Sequence, residues 1–104
     1  MAAYRKALSV NPDFVAARNN LANALLSAGA VDEAIEQYER VLVRSGTNAL
    51  VHNNLGSALM SKGRLSEAAS HLHRALELDP ELSEASENLA DLRRRLDSRL
   101  GIGE

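Results

Sequence analysis

The chain has 104 residues, 14 acidic and 12 basic side chains, a formal charge of −2 and no cysteine. That interspersed balance argues against a sequence-independent nucleic-acid binder, which needs a basic excess, and the missing thiols exclude disulfide scaffolds, thiol catalysis and cysteine-ligated zinc. Alanine, leucine, glutamate and arginine are plentiful while Pro and Gly are scarce, so the composition favours an all-α chain making one modest domain.

Residues 2 to about 10 carry Tyr4, Ala7 and Leu8 at helical spacing and run into the junction signal Asn11-Pro12-Asp13. Ala17, Leu21, Ala24 and Leu25 predict the next helix, which breaks at Ala28-Gly29-Ala30, where glycine can take the left-handed conformation without a side-chain clash. Val31, Ala34, Ile35, Tyr38, Val41 and Leu42 predict a second helix, closed by Ser45-Gly46-Thr47-Asn48. The same plan then returns, with a break at Lys62-Gly63-Arg64 and a junction at Asp79-Pro80. Residues 82 to 99 place Ala85, Leu89, Leu92, Leu96 and Leu100 on one stripe, and Arg93 stands where Leu25 and Leu59 would meet a partner helix. A charge at that site suits a capping helix with a soluble outer face.

The return has a fixed period. Asn20, Asn54 and Asn88 stand 34 residues apart, and Asn19/Asn53, Leu21/Leu55, Ala24/Ala58, Gly29/Gly63, Ala34/Ala68 and Leu42/Leu76 are identical pairs on the same spacing. Self-similarity of this length marks an array of helix pairs. Tyr4, Ala7 and Leu8 lie one period before Tyr38, Val41 and Leu42. The expected division is therefore 1–12 as the second helix of a preceding half-repeat, 15–48 and 49–82 as repeats, and 83–100 as a C-terminal cap. On this frame the chain begins inside a repeat, and the first helix of that repeat is expected upstream.

No catalytic site, metal site or cofactor site is expected. His71 and His73, two apart on a helix, face different directions and do not share a metal, and His52 is expected as a partly buried spacer. The acids are scattered along solvent-facing positions, as helix-face charges usually are. Arg93, Arg94, Arg95 and Arg99 form one basic cluster, diluted by Asp91 and Asp97, at the helix end whose dipole favours cations. No run of 18 apolar residues and no basic segment followed by an apolar run is present. Neither a membrane partner nor a signal peptide is expected, and the expected compartment is cytoplasmic.

The first helices read Arg18-x-x-Leu21-Ala22-x-x-Leu25 and His52-x-x-Leu55-Gly56-x-x-Leu59. The second helices read Ala34-x-x-x-Tyr38-x-x-Val41 and Ala68-x-x-x-Leu72-x-x-Ala75, followed by Gly46 and Pro80. This pattern resembles the tetratricopeptide repeat family, with Arg18 and His52 replacing its usual aromatic and Gly46 its first proline. The resemblance implies a right-handed superhelical solenoid of antiparallel helix pairs, about six helices in all. It also implies a non-catalytic protein–protein interaction scaffold whose first helices line a concave groove for an extended peptide.

Carried over residue by residue, that groove takes Ala16, Asn19, Asn20, Asn23 and Leu26 from one repeat. The next repeat supplies Leu50, Asn53, Asn54, Ser57 and Met60, and the cap supplies Glu84, Glu87, Asn88 and Asp91. An asparagine amide offers both a donor and an acceptor, so a regular array of them can grip a peptide backbone as an asparagine ladder. The competing use is structural, with the amides satisfying backbone groups between adjacent helices. So many asparagines, poor helix formers, on one face favour the binding use.

Some family members clamp acidic C-termini with groove cations. Here Asn19, Glu84 and Asn88 occupy those sites, so a carboxylate would be repelled, and the expected partner is neutral or basic near the cap. Two other functions remain open at this level. One is self-association into a homo-oligomer through the apolar face of Tyr4, Ala7, Leu8 and Val10. The other is a role as the partner-selecting region of a larger multidomain enzyme.

Overall fold

A computed structural model describes residues 2–11 and 15–100, Leu100 by its backbone alone. The expected junction residues Pro12 and Asp13 and the stripe side chain of Leu100 lie outside the described residues. Among those described, six helices and no strand are found: α1 Ala2–Val10, α2 Val15–Ser27, α3 Val31–Arg44, α4 Ala49–Ser61, α5 Leu65–Leu78 and α6 Ser83–Leu100. The fold is an all-α helical repeat.

The two hairpin turns are built alike. Gly29 and Gly63 have φ of 85° and 75°, a region that costs an L-residue about 1–2 kcal/mol. In the first turn Gly29 N–H reaches Leu26 O at 3.1 Å and Ala30 N–H reaches Leu25 O at 2.9 Å. In the second, Gly63 N–H reaches Met60 O and Arg64 N–H reaches Leu59 O, both at 2.9 Å. Each pair of bonds satisfies carbonyls that a bare helix end would leave orphaned. Between the repeats, Asn48 caps α4 by accepting the Val51 N–H at 3.1 Å. Asp79 Oδ1 accepts the Glu81 N–H at 3.1 Å across Pro80.

Small residues let the helices of a hairpin approach. Ala22, Ala34 and Ala68 are fully buried, and an added Cβ at Gly56 would lie 2.8 Å from Leu72 Cγ and 3.3 Å from Ala68 O. Leu72 is itself fully buried and has little room to yield. Gly56→Ala is therefore expected to destabilise. Overpacking costs about 1–3 kcal/mol, against a gain in helix propensity of about 1 kcal/mol. Urea denaturation would check this, and a raised midpoint would show that α4 and α5 can part without loss.

The hairpins join through one core that includes Leu21, Leu25, Tyr38, Leu55, Leu59, Leu72, Leu89 and Leu92. Consecutive helices touch, and so do α2 with α4 and α4 with α6, whereas no comparable contact links α1 with α3 or α3 with α5 among the described residues. The first helices of the pairs thus crowd together while the second helices splay. This bends the stack, 52 Å long and 18 Å in its thinnest direction, so that α2, α4 and α6 form the inner face.

His52 is more than a spacer. It is 8 % exposed, its Nε2 lies 2.9 Å from Gly46 O, and its Nδ1 lies 3.0 Å from Nδ1 of the stacked His71 ring. A carbonyl only accepts, so the bonding pattern assigns the proton of His52 to Nε2 and leaves its Nδ1 to accept from His71. Burial, then the neighbouring His52, hold the His71 pKa below its ordinary value. The pair ties α4 and α5 to the loop that follows α3.

Candidate functional site

The inner face carries a groove of about 540 Å³. Its residues follow helical geometry, with Asn23, Leu26 and Ser27 on one face of α2, Leu50, Asn53, Asn54 and Ser57 on one face of α4, and Glu84, Glu87 and Asn88 on one face of α6. The Tyr38 side chain of α3 reaches the groove from behind.

In repeat register, Asn23 corresponds to Ser57 and Asp91, and Asn20 to Asn54 and Asn88. The groove therefore runs obliquely, drawing on α2 about two turns further along than on α6. This slant explains where expectation and structure part. Asn23, Leu26, Leu50, Asn53, Asn54, Ser57, Glu84, Glu87 and Asn88 come together. Asn20 is exposed but does not line the groove, nor does Ala16, and Asn19 is half-buried beside it. Met60, expected in the groove, is 6 % exposed and borders a separate cleft with Leu65, Arg94 and Arg95. Asp91, also expected there, pairs with Arg94 at 3.6 Å and Arg95 at 3.0 Å. Sequence reasoning missed Ser27, which lies one turn beyond Asn23, and Tyr38, a core position whose hydroxyl end reaches the groove.

The amides are joined across the repeat boundaries. Asn88 Nδ2 donates to Asn53 Oδ1 at 2.9 Å, and Asn53 Nδ2 donates to Glu84 Oε2 at 3.3 Å. At the preceding boundary Asn54 Nδ2 donates to Asn23 Oδ1 at 3.2 Å, and the Tyr38 hydroxyl donates to the same oxygen. By period, the counterpart of the Asn88–Asn53 bond would be Asn54 to Asn19. Asn54 turns to Asn23 instead, and Asn19 Oδ1 is left as a buried side-chain polar atom without a partner. The two boundaries differ because Tyr38 and Asn23 occupy positions that the next repeat fills with Leu72 and Ser57.

Glu84 and Glu87 are the charged residues lining the groove, with no cation among its lining. Asn54 Oδ1 and Asn88 Oδ1 take no bond among the described residues and add open acceptors. Burial pushes the Tyr38 pKa up to about 12, so its hydroxyl stays protonated as a donor. Among the described residues no cluster of three or more His, Asp or Glu could hold a metal, and no helix is long and apolar enough to cross a membrane.

Family models described as tetratricopeptide repeat match residues 2–49 and 49–82. Among solved structures, MamA superposes with a TM-score of 0.88 at 26 % identity over 91 % of this chain. The chain spans only 56 % of that MamA chain. The Arabidopsis OM64 TPR domain gives a TM-score of 0.84 at 24 % identity, with 88 % of this chain and 75 % of that one covered. The first TPR of Spaghetti (RPAP3), bound to the HSP90 peptide SRMEEVD, gives 0.86 at 22 % identity, with 89 % and 74 % covered. These last two are likenesses of fold. No curated protein matches the chain.

Proposed function

Since the chain belongs to the tetratricopeptide repeat family, whose repeats are typically non-catalytic interaction modules, we propose that it is a protein-interaction scaffold holding an extended peptide along the inner groove. The observation that carries this reading is the groove itself, which crosses three helices and offers open amide atoms beside Leu50, 47 % exposed. A peptide laid across it meets polar groups at Asn23, Asn54 and Asn88 and apolar surface at Leu26 and Leu50. The ladder is then shifted at its first rung, with Asn23 replacing Asn20, and its amides serve both the peptide and one another.

Peptides selected on the whole chain from a displayed random library give the test. Removing two amides with Asn54→Ala and Asn88→Ala should weaken binding by about 1–3 kcal/mol, roughly 5- to 150-fold. Asn20→Ala should leave affinity unchanged, since Asn20 lies off the groove. Equal affinity of the double variant and the wild type, both folded by circular dichroism, would sink the ladder mechanism.

A second reading has one observation behind it. α1 buries no residue fully, Val10 stands 81 % exposed, and among the described residues α1 packs on α2, with the exposed Arg5–Glu33 ion pair at 3.5 Å reaching α3. Self-association through that face predicts a concentration-dependent sedimentation coefficient, and a strict monomer at high concentration would remove it.

A further inference from the structure

We propose that the groove selects a peptide carrying a basic side chain, arginine above lysine, and that Glu84 is the residue that receives it. The inference rests on the peptide-binding reading and adds the ligand's chemistry. Both charged residues lining the groove are acids, and neither Glu84 nor Glu87 has an ion pair among the described residues. Asp91, one turn beyond Glu87, is by contrast taken up by Arg94 and Arg95. The groove end of α6 therefore holds uncompensated negative charge beside a partly enclosed surface, where a ligand cation gains most.

Glu84 is also held in place. Asn53 is 2 % exposed and uses both ends of its amide: its oxygen receives Asn88 Nδ2 at 2.9 Å, and its nitrogen donates to Glu84 Oε2 at 3.3 Å. One carboxylate oxygen accepts from the buried Asn53 amide while the other takes no bond among the described residues, so the exposed Glu84 is partly oriented before a ligand binds. Asn53 is the positioning residue in this arrangement. The open oxygens of Asn54 and Asn88 add further acceptors, which suits a guanidinium with five N–H donors in a fixed plane better than an ammonium. Leu50, on the α4 face that carries Asn53, offers apolar surface for the aliphatic stem of the incoming side chain. An acidic segment such as the SRMEEVD bound to RPAP3 would bring carboxylates against Glu84 and Glu87 and be repelled.

The test uses the whole chain and the library-selected peptides. Peptides whose binding is weakened at least about fivefold in the double variant carrying Asn54→Ala and Asn88→Ala define the groove set, and that set should be enriched in Arg and Lys. Replacing the enriched basic residue by Gln in a synthetic peptide should weaken binding to the wild type about five- to tenfold and leave binding to a Glu84→Gln variant nearly unchanged. The affinity should also fall with added salt. Asn53→Ala should reduce the discrimination between the Arg and Gln peptides more than it reduces binding of the Gln peptide. Groove-dependent peptides without basic enrichment, or an Arg-to-Gln loss equal in the wild type and Glu84→Gln, would overturn the assignment while leaving peptide binding intact. The peptide-side replacement needs no protein variant, so it decides even if Glu84→Gln folds poorly. Absence of any groove-dependent peptide would overturn both proposals together.

Discussion

Leu55→Ala should lower the unfolding free energy by about 2–5 kcal/mol, a large fraction of the roughly 5–15 kcal/mol that holds a domain of this size together. Leu55 is fully buried on α4, the helix that touches α2, α3, α5 and α6. A cavity at that point is walled by neighbours on several sides, and none of them can move in without leaving another contact. The damage is also shared. In a solenoid each hairpin is stabilised through its interfaces with the next, and α4 takes part in two of them, with the α2–α3 hairpin and with α6. Urea titration followed by circular dichroism measures the effect, with the midpoint expected to fall at unchanged slope. An unshifted midpoint would mean that Leu55 is not at the centre of the stack.

Tyr38→Ala should cost about 3–5 kcal/mol, as aromatic truncations in a packed core do. Tyr38 heads the largest fully buried side chains. Its ring fills the first hairpin, where Leu72 fills the second, and its hydroxyl passes through the helix layer to donate to Asn23 Oδ1. The two parts are separable. Tyr38→Phe keeps the ring and removes one donor, so it should cost only about 0.5–1.5 kcal/mol. Asn23 Oδ1 would then keep the Asn54 bond alone. The contrast between the two variants apportions packing and hydrogen bonding, and a Phe variant as unstable as the Ala variant would contradict the assignment.

Much of the fold was legible because it is local. Leu21, Leu25 and their counterparts Leu55 and Leu59 recur at helical spacing, and Gly29 and Gly63 mark the turns where positive φ is required. The glycine at position 56 was legible as a close approach, and its clash with Leu72 on addition of a Cβ confirms how close. The site was legible in part. Leu50, Asn53, Asn54, Glu84 and Asn88 fall where repeat register puts them. Asn20, Met60 and Asp91 do not, because register assumes that successive hairpins present the same turn of helix to the groove.

The helices, the paired turns, the small-residue contacts within each hairpin and the acids Glu84 and Glu87 at the start of the cap can be read from the sequence. Each of these depends on residues within a turn of helix or across one hairpin, which a 34-residue period repeats faithfully. The slant of the groove, the partners of its amides and the orientation of the Glu84 carboxylate arise where one repeat packs on the next. Those depend on bonds between successive repeats, Asn54 to Asn23, Asn53 to Glu84 and Asn88 to Asn53. Tyr38 beside Asn23, and Glu84 where the previous repeat has Leu50, make the two boundaries chemically unequal. A periodic sequence can therefore place its asparagines evenly and still bond them differently at each step.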